Sequence, residues 1–129
     1  MSALNTYNQI VNVLSEYGLR EIPGLIDIDE IKESHKENAF ILKPTGTDET
    51  ELANSNLFTI YNWSLEVVFR HVSSRDRVQA FDSFHEIKGA IQKIAGFKGF
   101  SSEPEFARLA NFTFLSVGTL IFQLGSDGC

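Results

Sequence analysis

Three histidines, one cysteine and a run of acids are the side chains in this chain that could carry chemistry, and their spacing decides what they can do. His35, His71 and His85 stand far apart. None makes the i, i+4 pair or the His/Cys cluster that holds zinc. His71 continues the apolar face of a strand, so it reads as a core or edge histidine with a hydrogen-bond partner rather than as a ligand. Asp27, Asp29 and Glu30 crowd together, but the glycine and distant glutamate of a calcium loop do not follow. A solvated acidic segment is the expectation there. Gly96-Phe97-Lys98-Gly99 has neither the preceding strand nor the Lys-Ser/Thr of a phosphate cradle. No Gly-x-Ser-x-Gly elbow occurs, and Cys129 has no fixed neighbours that would activate a thiolate. Carboxylates distant in sequence can still converge, but no spacing favours that. The expectation is a protein that is not an enzyme and holds no metal or cofactor.

Charge is distributed unevenly. Residues 1–56 hold ten acids and four bases, while residues 57–129 hold seven of each. The whole net charge of −6 therefore sits in the first half. That argues against a surface that grips nucleic acid, which needs clustered Lys and Arg to neutralise phosphates. A surface that DNA passes without sticking is compatible, because like charges repel within a Debye length of about 8 Å. Acidity also serves plain solubility. A content of 43% hydrophobic and 22% charged residues suits one globular α+β domain over residues 1–129. No apolar run approaches the roughly 20 residues that span a bilayer, and residues 1–5 lack the basic and then apolar regions of a signal peptide. A lone cysteine fits a reducing compartment.

The elements that would position any site can be read from periodicity. Along 62–72 the odd positions Trp63, Leu65, Val67 and Phe69 are large and apolar, and the even positions Ser64, Glu66, Val68 and Arg70 are mostly polar. That alternation predicts a half-buried strand. It runs into a capped helix over 75–95, whose apolar stripe holds Phe81, Phe84, Lys88, Ile91 and Ala95, flanked by Ala80, Ile87 and Ile94. Gly96 is expected to close it. An earlier helix is predicted over 2–17, with Leu4, Tyr7, Val11 and Leu14 on one stripe and Gly18 as a left-handed stop. Residues 19–37 read as irregular, with a turn at Ile22-Pro23-Gly24. A short strand over 38–44 is ended or edged by Pro44.

Residues 45–56 read as the clearest loop, either the tip of a long hairpin or a disordered excursion. Phe97 and Phe100 sit in a tight aromatic loop. Ser102-Glu103-Pro104-Glu105 matches a capping box with Pro in the first turn, so Phe106, Leu109 and Ala110 form either a short helical face or a strand. Residues 112–124 make a final strand or hairpin that is apolar on both faces, with a bulge or turn expected at Ser116-Val117-Gly118. The fold class is α+β: a single antiparallel or mixed sheet with two main helices packed against it.

Three features point beyond a monomer core, each with a plainer alternative. The 62–72 strand would be about 36 Å long at roughly 3.3 Å per residue, or it simply overhangs. Two helices leave one sheet face short of cover, unless the first helix covers it. Gly89 lies on the outward side of the second helix, where glycine costs about 1 kcal/mol against alanine; close approach of another backbone would offset that, or the residue is drift.

The order helix, acidic segment, strand, long loop, Trp63-bearing strand, helix and a closing strand with Gly118-Thr119-Leu120-Ile121-Phe122 resembles the tail terminator, or tail completion, proteins of long-tailed bacteriophages. The resemblance implies a homo-oligomeric ring, a hexamer, that caps the tail tube, stops its polymerisation and offers a surface to head-completion or neck proteins. It implies a virion protein at the head-proximal end of the tail, present in the host cytoplasm during assembly. DNA would pass an acidic lumen without sequence-specific binding, and no membrane is involved. The contacts expected on that footing are Thr47, Asp48, Glu49 and Leu52 in the long loop, Gly89 on the second helix, and Phe97 and Phe100. The two phenylalanines either insert into an adjoining subunit or pack on their own helix. A neck or connector protein of the same virion stays open, as does a small α+β enzyme or ligand-binding domain, which would need a pocket with convergent polar groups.

Overall fold

The computed structural model describes residues 3–22, 38–51, 57–108 and 115–125. In chain order they form α1 (Ala3–Ser15), β1 (Arg20–Glu21), β2 (Ala39–Glu51), β3 (Leu57–Arg70), α2 (Ser74–Gln92), β4 (Phe97–Phe100), β5 (Glu105–Arg108) and β6 (Leu115–Gly125). One six-stranded mixed sheet runs β1-β2-β3-β6-β4, with β5 also on β6. β1 is parallel to β2 and every other pair is antiparallel. The fold is α+β with a single sheet, as the periodicity predicted. The expected turn at Pro23-Gly24, the acids Asp27, Asp29 and Glu30, and His35, Leu52, Leu109, Ala110, Phe112 and Cys129 lie outside the described residues.

The central strand follows its sequence alternation. Trp63, Leu65, Val67 and Phe69 are all buried and belong to one cluster with Phe40, Leu42, Leu120, Phe122 and Leu124 of the neighbouring strands. Ile10 and Leu14 of α1 and Ala80, Phe84, Ile87 and Ile91 of α2 complete that cluster. Both helices therefore pack on the same face of the sheet, which corrects the alternative in which α1 covers the second face. The second face has its own buried group of Ile22, Ala39, Ile41, Val68, Leu115 and Val117. Toward the other end of the strands its residues Asn62, Ser64, Thr119, Ile121 and Gln123 are half-buried, and Gln123 Nε2 donates to Asn62 Oδ1 at 2.8 Å.

Local chemistry sets the helix ends. Gly18, at φ +73°, takes the left-handed conformation that ends α1. Ser73 is the N-cap of α2 and its hydroxyl accepts from the Asp76 N–H at 3.1 Å. Asp76 reaches back, its carboxylate accepting from the Val72 N–H at 3.2 Å. Two orphan donors are thus satisfied reciprocally, with an acid in the first turn where the helix dipole favours it. The helix ends at Gln92, three residues before the expected position, and a turn leads to Gly96 at φ +90°. A β-carbon there would lie 2.5 Å from the Gly125 carbonyl oxygen. Glycine at 96 lets the chain enter β4 against the end of β6.

Several expectations are corrected. Residues 45–51 are not a loop: β2 continues through them, pairing Thr47 with Tyr61, Asp48 with Ile60 and Glu49 with Thr59. A register shift between Pro44 and Gly46 absorbs the proline, which sits on an edge strand beside a bulge, the two sheet settings that tolerate it. The hairpin reading of 45–56 is the one that fits, and β3 starts at Leu57 instead of Asn62. Residues 97–100 form an edge strand where an aromatic loop was expected. The capping signature at Ser102–Glu105 starts no helix, because residues 105–108 pair with 119–116 of β6. Pairing of β6 with β3 is continuous through Ser116, Val117 and Gly118 without bulge or turn. A short strand, β1, lies in the segment read as irregular.

A candidate contact surface at one pole of the sheet

The face of α2 that meets the sheet is centred on Ala80, Phe84, Ile87 and Ile91, so Phe81 falls at its rim and not in its middle. Phe81 is 45% exposed, beside Val78 at 60% and, just before the helix, Val72 at 68%. Phe106 of β5 meets this rim. Its ring centroid is 5.4 Å from Phe81 in an edge-on arrangement, 5.7 Å from Phe84 and 6.0 Å from Phe69. Phe81 also leans on His85 at 4.4 Å, whose Nδ1 lies 3.1 Å from the Phe81 carbonyl oxygen.

Two shallow grooves flank the Phe81–Phe106 pair. One, of about 450 Å³, is lined by Ser74, Arg77, Val78, Phe81 and Phe106. The other, of about 300 Å³, lies between His85 and Lys88 of α2 and Glu103 and Pro104. A third cleft of about 240 Å³ brings Asn38, Arg70, Asp76, Gln79 and Ser83 together. It falls below the roughly 300–1,000 Å³ usual for small-molecule sites, and the Asp76 carboxylate is already engaged in the helix cap.

The register gathers charge at this end. Arg70 pairs with Leu115, Arg108 with Ser116, and Arg20 with Ala39, which in turn pairs with Val68. Arg75 and Arg77 occupy the first turn of α2. All five arginines of the chain therefore lie at the pole where β3 ends and α2 begins. At the opposite pole, β2 and β3 stay paired beyond the last described β6 pair, Ile60 with Gly125, through Glu51 and Leu57. Residues 46–51 of β2 and their partners 57–62 include Asp48, Glu49 and Glu51 and no base. Beyond Phe40, the outer side of β2 has no strand partner among the described residues.

The residues singled out from sequence are scattered over this frame. Thr47 is exposed, and with Asp48 and Glu49 it lies in the part of β2 that pairs with β3. Gly89 is half-buried on α2, and a β-carbon there would meet nothing within 4 Å. Phe97 and Phe100 are half-buried on β4, their rings 5.1 Å apart and packed against the main core. The Lys88 ammonium lies 5.7 Å from the Phe100 ring centre, so the lysine in the apolar stripe buries its stem and ends over an aromatic face. His71 is 6% exposed, with Nε2 2.8 Å from the Ser116 hydroxyl, which is the paired core histidine expected. Among the described residues, no three His, Cys, Asp or Glu side chains are grouped to hold a metal, and no helix is long and apolar enough to cross a membrane.

The exposed rim of Val72, Val78 and Phe81, and the arginine pole, were missed by sequence reasoning. The rim could have been found by asking which face of the helix Ala80 and Ile87 share with Phe84 and Ile91. No family model matches this sequence, and no curated protein matches it.

Proposed function

We propose that this chain is a structural subunit that assembles with copies of itself into a ring, in the manner of a phage tail terminator. In this reading the ring caps a tail tube, stops its growth and presents a docking surface to head-completion or neck proteins. The observation that carries the reading is β2, a long strand whose outer side beyond Phe40 has no strand partner among the described residues. An open strand edge is a template on which another chain can pair. The exposed apolar rim at the far pole is the second surface that such assembly needs.

Head-to-tail contact between unlike surfaces generates rings when the rotation between neighbours closes. Acidic strands facing a channel would let DNA move through it without binding, since like charges repel at the short range that physiological salt allows.

The test is the mass of the purified protein by native mass spectrometry and light scattering, with electron microscopy of the particles. A closed ring, and its attachment to the ends of tube-protein polymers, is the expected result. A monomer at high concentration, both alone and with tube protein, would reject the reading. Structural phage genes on either side of the coding sequence would support it independently.

A further inference from the structure

We infer that the outward face of α2 is the seat of a second copy of this chain, packed antiparallel about a two-fold axis at Val78. Arg75, Val78 and Asp82 lie in one line along that face. Seven residues advance about 10 Å along a helix and stop about 20° short of two full turns. The cation and the anion therefore stand on the same side, with the valine between them. All three side chains are exposed, and those of Arg75 and Asp82 have no ion pair or hydrogen bond among the described residues.

The order of the charges selects the partner. A parallel neighbour would set Arg75 against Arg75 and Asp82 against Asp82. An antiparallel copy sets Arg75 opposite the other chain's Asp82 twice over, with Val78 against Val78 between the two pairs. Glu86, one turn past Asp82, then falls opposite the partner's first helical turn, where the dipole favours an acid. Phe81 beside the strip and Val72 just before the helix are also exposed, and covering such surface supplies the non-directional part of the attraction.

The other charges near α2 lie to either side of the strip or beyond it. Asp76 lines the cleft with Asn38 and Arg70, and Arg77 lines the groove with Phe106. The Lys88 ammonium lies by the Phe100 ring, Glu103 stands across from His85 and Lys88, and Lys93 caps the far end of the helix. A contact of a few helical turns belongs to the small class of interfaces, under about 1,200 Å² in total, so the pair is expected to be weak and reversible. It stands with or without the ring, since a two-fold contact is complete with two copies; where a ring forms, its copies are joined in pairs through this face.

Sedimentation velocity and light scattering over a concentration series compare the wild type with Arg75→Asp, Asp82→Arg, both changes in one chain, and an equimolar mixture of the two single variants. Circular dichroism checks each fold. The wild type is expected to pair, less so at high salt. Each single variant sets like charges against each other at both ends of the contact and should pair about ten-fold or more weakly. The double exchange should regain pairing, and so should the mixture, in which each variant finds its complement in the other. A wild type that stays monomeric at its highest soluble concentration, single variants that pair as the wild type does, or a mixture that fails to pair overturns the contact. Where a ring forms, native mass spectrometry should find an even number of copies, and Arg75→Asp should break it into smaller pieces. A ring of unchanged mass in Arg75→Asp overturns the contact and leaves the ring reading standing. A dimer that obeys the charge exchanges and never closes into a ring supports the contact and counts against the ring.

Discussion

The ring of Phe84 occupies the space that a side chain at Gly118 would need. A β-carbon at position 118 would fall 2.8 Å from Phe84 Cγ and closer still to Cδ1 and Cε1. This is where α2 presses on the centre of β6, and the absence of a side chain sets how closely helix and sheet approach. Gly118→Ala is therefore expected to destabilise the fold by about 1–3 kcal/mol, the usual cost of overpacking. Combining it with Phe84→Leu should cost less than the sum of the two, a coupling that a double-mutant cycle in urea measures directly. Strict additivity would mean the ring moves aside freely.

Trp63 of β3 anchors the same core beneath the other helix, 2% exposed and with its ring centroid 6.3 Å from Tyr7 of α1. Trp63→Ala should cost about 3–5 kcal/mol, as large cavities do. Trp63→Phe should cost clearly less, because the buried indole N–H meets no acceptor among the described residues and its removal relieves an unmet donor. Denaturation midpoints of the two variants check the difference. Equal losses would mean that the indole N–H contributes to stability.

These two residues also show how far the sequence could be read. Trp63, Leu65, Val67 and Phe69 announce a half-buried strand because alternation is a local signal, and the Ser73 cap with its acidic first turn is local too. Residues 45–51 announce nothing of the kind. Their strand comes from the partner they meet, with Glu51 opposite Leu57 and Asp48 opposite Ile60, and pairing is not written in the pattern of either segment alone. Phe106 shows the same contest: a Pro-led helix signature upstream is overridden by a free edge on β6. The candidate surface was the least legible part. Arg20, Arg70, Arg75, Arg77 and Arg108 share a pole only because the register folds distant parts of the chain onto one end of the sheet.

Gly89 separates folding from assembly. It lies within α2, where a β-carbon would touch nothing, so its flexibility only weakens the helix. Gly89→Ala should raise stability by up to about 1 kcal/mol, read as a higher Tm. Gly89→Arg should fold as well and fail to assemble, if the outward face of α2 lies at a subunit boundary. Light scattering of that variant at matched concentration decides it, and a normal ring would place the boundary elsewhere.

Tyr7 ties α1 to β1, its hydroxyl donating to Glu21 Oε1. That hydrogen bond, with partial burial and the nearby carboxylate charge, pushes the Tyr7 hydroxyl up to about 12 from its ordinary 10.0. The folded state thus holds this proton more tightly than the unfolded chain does. Its contribution to stability is complete below pH 10 and disappears as the pH rises from about 10 through about 12. Tyr7→Phe should lose about 0.5–1.5 kcal/mol at pH 8, the net contribution of a hydrogen bond whose charge is screened by solvent. The variant should also lack this part of the alkaline decline, so the gap between the two proteins narrows toward pH 12. Urea midpoints at pH 8 and pH 11 measure that gap. An absorbance titration adds a direct readout, in which the wild type shows a late ionisation that Tyr7→Phe lacks. A gap that stays constant across this range would mean that the hydroxyl and Glu21 are not paired in solution, and that α1 is held to the sheet by its remaining contacts, Ile10 and Leu14 among them.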